Sequence, residues 1–154
     1  MRPITSRRRS GFSMLEMLIV MIVISLLVKI SVTKMATIIQ HERVNRAAQV
    51  LVQDLQNGYA MAGRQRAPVR LTFTPSTKTY VFTDRATGTV LQTRVMSTGA
   101  DYSVNSMTVE NGPTIDILPN GIGSTWFKVK LENGTYSKTV FASSAGFVRL
   151  TPNQ

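Results

Sequence analysis

From Phe12 to Val28 the chain is apolar except for Ser13, Ser25 and Glu16. At about 1.5 Å of rise per residue a helix of that length covers roughly 25 Å, near the lower limit for crossing the hydrocarbon core of a bilayer. The stretch is expected to be a membrane segment. Arg2 and the run Arg7-Arg8-Arg9 precede it, and the bias of basic residues toward the cytoplasmic side places the N-terminus there and the rest across. Glu16 is the anomaly, because a carboxylate near the start of a bilayer helix is costly without a partner and marks a functional position.

A secretory signal peptide has the same order of basic and then apolar residues, but it ends in a small-residue cleavage site. Val28-Lys29-Ile30-Ser31-Val32 offers a poor one. A plain signal anchor is the other reading, and it explains neither Glu16 nor the Gly11-Phe12 junction.

The short basic leader, Gly11, Phe12 and the apolar run with Glu16 five residues in, counting Phe12 as the first, closely resemble the class III signal of type IV prepilins and pseudopilins. The resemblance implies cleavage by prepilin peptidase between Gly11 and Phe12, methylation of Phe12, and pairing of Glu16 with the Phe12 ammonium of a neighbouring subunit. The physics suits that pairing, since a buried ion pair that loses one partner is strongly destabilised. The implied location is the bacterial inner membrane, single-pass, with the N-terminus cytoplasmic and the head periplasmic, followed by transfer into a filament. Inner-membrane lipid is then a partner beside the peptidase and other pilins or pseudopilins.

With 154 residues there is room for one domain besides leader and span, with a modest core. Cysteine is absent and His41 is the sole histidine, so no disulfide staples the head, and little is left for a metal site or a nucleophile and base pair. No cofactor, no metal and no enzymatic activity are expected. The net charge of +10 falls to +6 without the four leader arginines. The moderately basic head that remains favours an acidic partner, acidic lipid or nucleic acid, although a solvated basic surface is equally common.

Beyond the apolar run, Val32, Met35, Ala36, Ile39, Ala47, Ala48, Leu51, Leu55, Tyr59 and Ala62 recur at helical spacing, with Lys34, Gln40, Glu42, Arg43, Arg46, Gln49, Gln53 and Asp54 opposite them. This amphipathic pattern continues the helix to Ala62, where Gly63 and Pro68 supply a stop signal. Strands are expected at Val69–Thr74, Thr79–Thr83, Thr89–Met96, Tyr102–Val109, Thr114–Leu118, Trp126–Leu131, Tyr136–Ala142 and Phe147–Leu150, with a tight hairpin turn at Asn133-Gly134. Short turns between consecutive strands mean an antiparallel sheet. The expected fold is α+β: a long N-terminal helix, half membrane-embedded and half amphipathic, packed on an antiparallel sheet head. The divisions are a leader at 1–11, a transmembrane or filament-core helix at 12–30, its amphipathic half at 31–62, and a β-rich head at 63–154.

Arg46 to Leu55, then Ala60, Arg64, Arg66 and Pro68-Val69-Arg70-Leu71, are similar to the passage from helix to first strand in the GspH/FimT family of minor pseudopilins. Ile115 to Gly121 and Ser144 to Leu150 resemble that family's later turn and closing strand. The resemblance implies a structural subunit of a type II secretion pseudopilus or a type IV pilus. The alternative it carries is a DNA-binding minor pilin for natural transformation, whose DNA contacts would fall on Arg149 and Phe147 or on Arg64, Arg66 and Arg70. In this chain Phe147 stands where the first arginine of that family's DNA-binding motif would be, and a pair of one cation and one aromatic is a weak phosphate site. For Arg64, Arg66 and Arg70 the plain reading is a solvated helix end; for Lys128, Lys130 and Lys138 it is a lysine-rich sheet face that resists aggregation.

Overall fold

The computed structural model describes residues 11–99 and 101–151, with backbone alone at 31–34 and 36. Arg2 and the arginines at 7–9 lie outside the described residues. The first element is helix α1, Met14–Gln65. Ser13 caps it: its Oγ accepts from the Leu15 amide at 3.3 Å, and its carbonyl accepts from Met17 at 3.2 Å. Glu16 sits in the first turn, three residues after the cap, the spacing of a capping box. At the other end Arg64 lies in the last turn. Gly63 does not stop the helix, which ends where Arg66 turns left-handed at φ 51°, two residues before Pro68, whose ring disfavours helical backbone at Ala67.

Residues 1–37 and 38–154 form two separate compact units. In the first, every residue from Gly11 to Ile30 is exposed. Among the described residues, no helix is long and apolar enough to cross a membrane. The expected span began at Phe12, but Phe12 and Ser13 precede the helix. The uncharged run that remains between Glu16 and Lys29 is Met17–Val28, roughly 18 Å of helix against about 30 Å of hydrocarbon. The membrane-embedded half, the transmembrane assignment and the single-pass inner-membrane placement with a periplasmic head are corrected accordingly.

The second unit starts with α1 from Ile38 onward and adds eight strands: β1 Val69–Thr74, β2 Thr79–Asp84, β3 Val90–Val95, β4 Ser106–Glu110, β5 Thr114–Ile117, β6 Phe127–Asn133, β7 Tyr136–Ala142 and β8 Val148–Thr151. They form two antiparallel sheets of four rather than one, in the orders β3-β2-β1-β5 and β4-β6-β7-β8. The chain changes sheet three times, before β4, before β5 and before β6. β4 leaves β3 to pair with β6, Val109 opposite Val129, and β5 returns to pair with β1, Ile115 opposite Leu71.

Both sheets contribute to one core with α1. Ala47, Ala48, Leu51, Leu55 and Ala62 from the helix meet Leu71, Phe82, Ile115, Phe127, Val129 and Val140 from the strands, all fully buried. Each large apolar side chain so buried contributes about 1.5–3 kcal/mol. Small residues let the helix approach closely. A Cβ on Gly58 would lie 2.5 Å from the Phe82 ring.

Asp54, expected on the polar face, is instead 4% exposed. Tyr80 on β2 donates to its Oδ2 at 2.7 Å, and Arg94 on β3 donates to both carboxylate oxygens at 2.9 and 3.1 Å. The hairpin between β6 and β7 also differs in detail. Its two loop residues are Gly134 and Thr135, since Asn133 pairs with Tyr136. Only Gly134 has positive φ, at 61°, as a turn with glycine at its first central position requires. Asn133 is buried, and its side-chain amide donates to the Ser103 carbonyl at 2.7 Å.

Candidate functional site

The residues singled out by the sequence fall into an N-terminal group and a head group. At the N-terminus, Gly11 and Phe12 lie just ahead of the helix, and Phe12 is 74% exposed. Among the described residues nothing lies within 4 Å of a Cβ built on Gly11. Glu16 is exposed one helical turn further on. Its carboxylate is favoured there by the helix N-terminal dipole, so Glu16 fits both a cap and an exposed partner for a cation. The neighbouring apolar side chains project on all sides: Leu18, Ile19, Met21, Ile22, Leu26 and Leu27 are each at least half exposed. A helix that is apolar all round is stable only when covered.

In the head, the arginines lie on three different elements. Arg64 and Arg66 are exposed at the end of α1. Arg70 on β1 is spent on Asp116 of β5, with bonds of 2.8 and 3.3 Å, and Arg85 reaches the same carboxylate at 3.3 Å. Those contacts, the Arg70 hydrogen bond first, hold the Asp116 carboxyl below the usual range. The lysine face is also balanced: Lys128 pairs with Glu110 at 3.3 Å and Lys130 with Glu132 at 2.7 Å. Arg70, Lys128 and Lys130 are thus held by the head's own carboxylates.

Arg149 on β8 lies opposite Phe141 on β7, its guanidinium 5.3 Å from the ring centre. Phe147, at the turn before β8, is 77% exposed. Continuing the row, Phe141 faces Lys128, which faces Glu110. Trp126 sits beside them, 6.3 Å from Phe141 by ring centres, with the Lys128 ammonium 5.6 Å from its centre. Sequence reading picked out Arg149 and Phe147 but missed Trp126 and Phe141, which join them only through strand register.

The turn before β8 is held to the loop after β5. Gly123 donates to the Ser144 carbonyl at 2.7 Å, and Tyr59 on α1 donates to the Ser143 carbonyl at 3.4 Å. Gly146 has φ 82°, and a Cβ there would lie 2.9 Å from the Gly121 carbonyl, so only glycine fits. The Asp54 cluster is the other group that sequence reading missed. Burial pushes the Asp54 carboxyl up, but the bonds from Arg94 and Tyr80 outweigh it and hold the group ionised below its ordinary value. Burial and the Asp54 charge push the Tyr80 hydroxyl far above its usual range. With Asp54 buried and both its oxygens committed, the arrangement reads as a strut between helix and sheet. Among the described residues, no three His, Cys, Asp or Glu side chains gather as a metal site would require.

Residues 6–28 match the family model described as the prokaryotic N-terminal methylation motif. No curated protein sequence matches the chain. Among solved structures, the type IV minor pilin FimU of Pseudomonas aeruginosa superposes with a TM-score of 0.60 at 16% identity, covering 72% of this chain and 90% of that one. A second crystal form of FimU gives 0.57 at 18%, covering 70% and 92%. The minor pseudopilin EpsH of the type 2 secretion system of Vibrio cholerae gives 0.58 at 17%, covering 71% and 96%. The chain therefore carries an N-terminal methylation motif on a head with the fold of minor pilins and pseudopilins.

Proposed function

We propose that the protein is a filament subunit of the minor pilin or pseudopilin kind, assembled through its N-terminal helix after removal of the leader. The observation that carries this is the exposure of every residue from Gly11 to Ile30 around an apolar helix, whereas the head has a fully buried core of its own. Such a helix needs cover, and other copies of the same kind of helix supply it by packing.

The leader, residues 1–11, is removed by a prepilin peptidase at the Gly11-Phe12 junction, and Phe12 becomes the methylated N-terminus. Residues 12–30 then form the packing segment, 31–62 lead into the head, and 63–154 complete it. Glu16 neutralises the Phe12 ammonium of a neighbouring subunit. Inside a packed helix bundle each charge alone is costly, so the pair favours one register over others. The protein works by association rather than by catalysis. The DNA-binding alternative finds no support, because Arg70 is committed to Asp116 and the remaining cations are scattered.

Processing tests the reading directly. When the chain is co-expressed with a prepilin peptidase, the mature protein should begin at Phe12 and carry one added methyl group by mass. Gly11→Val should leave the leader in place, and an unchanged mature mass in that variant would refute the junction. Recovery of the mature chain in the soluble fraction alone, never in sheared filaments, would refute assembly.

A further inference from the structure

The free edge of β8 has three kinds of unfinished surface in one place. The strand is last in its sheet, paired with β7 alone, so among the described residues the backbone groups on its outer side have no strand partner. Val148 and Leu150 lie opposite Ala142 and Val140, on the core side of the sheet, yet Leu150 is 36% exposed where those two are fully buried. On the other side, Phe147 and Arg149 project outward, and among the described residues no carboxylate pairs with Arg149.

Edge strands are commonly blunted by shortness, charge, proline or a bulge; β8 is short, at four residues, and its one charge is Arg149, with no proline or bulge within Val148–Thr151. One edge of the other sheet, β3, is interrupted by a register shift beside Leu91 and turns Arg94 inward to Asp54. At the far edge of the sheet that holds β8, β4 has its Glu110 already on Lys128. Among the described residues β8 combines an edge without a second strand, a core-side Leu150 that is incompletely covered and a cation without a carboxylate.

We propose that the edge of β8 is a docking site for an extended segment of a partner protein that reads apolar, acidic, apolar in succession. Added as a further strand, such a segment would form main-chain bonds with β8 and set its side chains alternately on the two faces. Its acidic residue would meet Arg149 beside the Phe147 ring, and its apolar residues would cover Val148 and Leu150. The row beneath favours a peptide over a polyphosphate, because Glu110 lies in it and already neutralises Lys128, leaving one cation where phosphate binding needs several. This inference does not depend on filament assembly.

The test uses the full-length chain in mild detergent and fluorescence anisotropy with a labelled, end-capped peptide Ser-Thr-Val-Glu-Val-Thr-Ser. The expected result is saturable binding that weakens about tenfold when the peptide's glutamate becomes lysine, since like charges across an interface are strongly disfavoured. Arg149→Glu should reverse that preference. Phe147→Ser should weaken binding several-fold without changing thermal melting. Two further peptides carry N-methyl groups, one on both valines and one on the threonines and glutamate; one of the two must lose binding, because one set of amides faces the edge. Binding of both methylated peptides at full strength, or an unchanged charge preference in Arg149→Glu, would overturn the site. So would a labelled single-stranded oligonucleotide that binds through Phe147 and Arg149 where the peptide does not.

Discussion

The two halves of helix α1 treat apolar residues in opposite ways. Before Thr37, Met14, Leu18, Met21, Leu26 and Ile30 are all exposed. After Ile38, Val44, Ala47, Ala48, Leu51, Leu55 and Ala62 are at most 1% exposed. Composition and periodicity both separate them: residues 12–28 carry the single charge Glu16, whereas 40–65 carry Glu42, Arg43, Arg46, Asp54 and Arg64. The later half confines its apolar residues to a stripe that a sheet can cover, whereas the earlier half is apolar all round and no single neighbour covers it. The core of the head is therefore complete within one chain, whereas the N-terminal segment leaves its apolar residues uncovered.

That difference is open to attack from both sides. The largest effect is expected from Leu51→Ala, which should cost the head about 2–5 kcal/mol through a lost core side chain and the cavity left behind, read by chemical denaturation. Leu18→Ala should leave the same curve unchanged within about 0.5 kcal/mol while reducing recovery in filaments. Equal effects of the two on head stability would break the comparison.

Next comes the buried strut. Asp54→Ala should cost about 3 kcal/mol, because it strands Arg94 and Tyr80 together, and Tyr80→Phe about 1.5–3 kcal/mol, the usual range for a bond to a charged group. The Asp54 carboxyl is held below its ordinary value in the folded head. Its contribution is thus fully present above the unfolded value of about 3.9 and is lost as pH falls through the lower folded value. Asp54→Asn should flatten that acid limb of a melting profile; a limb as steep as in the unaltered chain would remove Asp54 from the account.

A smaller effect sharpens the picture of close helix approach. Gly58→Ala gains up to about 1 kcal/mol in helix propensity but drives a methyl into the Phe82 ring, and overpacking of this kind costs about 1–3 kcal/mol. A net loss is expected in the melting temperature, and a gain would mean that Phe82 can move aside. The smallest effect is expected from Lys130→Ala, whose pair with Glu132 is half exposed and contributes within about 0–1 kcal/mol.

Much of the head was legible in the sequence because its signals are local. All eight strands lie where alternation and turn residues place them, and Gly134 marks the one two-residue hairpin between β6 and β7. The division into two sheets was not legible, because the pairing of β4 with β6 depends on partners about a hairpin's length away rather than on the next strand. Asp54 looked like a solvated helix residue since Tyr80 and Arg94 stand 26 and 40 positions along the chain. Trp126 and Phe141 join Arg149 through cross-strand register alone. The membrane segment was overread because composition was counted from Phe12, whereas the helix starts at Met14 and Glu16 and Lys29 bound its uncharged run. The N-terminal junction was the clearest signal, with Gly11, Phe12 and Glu16 at fixed spacing inside the matched motif at 6–28.

The central claim is that the N-terminal half is finished by other subunits, through packing and one charge pair. Glu16→Gln tests it most directly, because glutamine at that position preserves the capping-box pattern with Ser13 while removing the charge. The measurement is the fraction of the chain recovered in sheared filaments, at equal cellular levels and with the mature N-terminus verified as Phe12. A fall of about tenfold, with head melting unchanged, is the predicted result. Recovery equal to that of the unaltered chain would contradict the pairing, and with it the account of how this helix is completed.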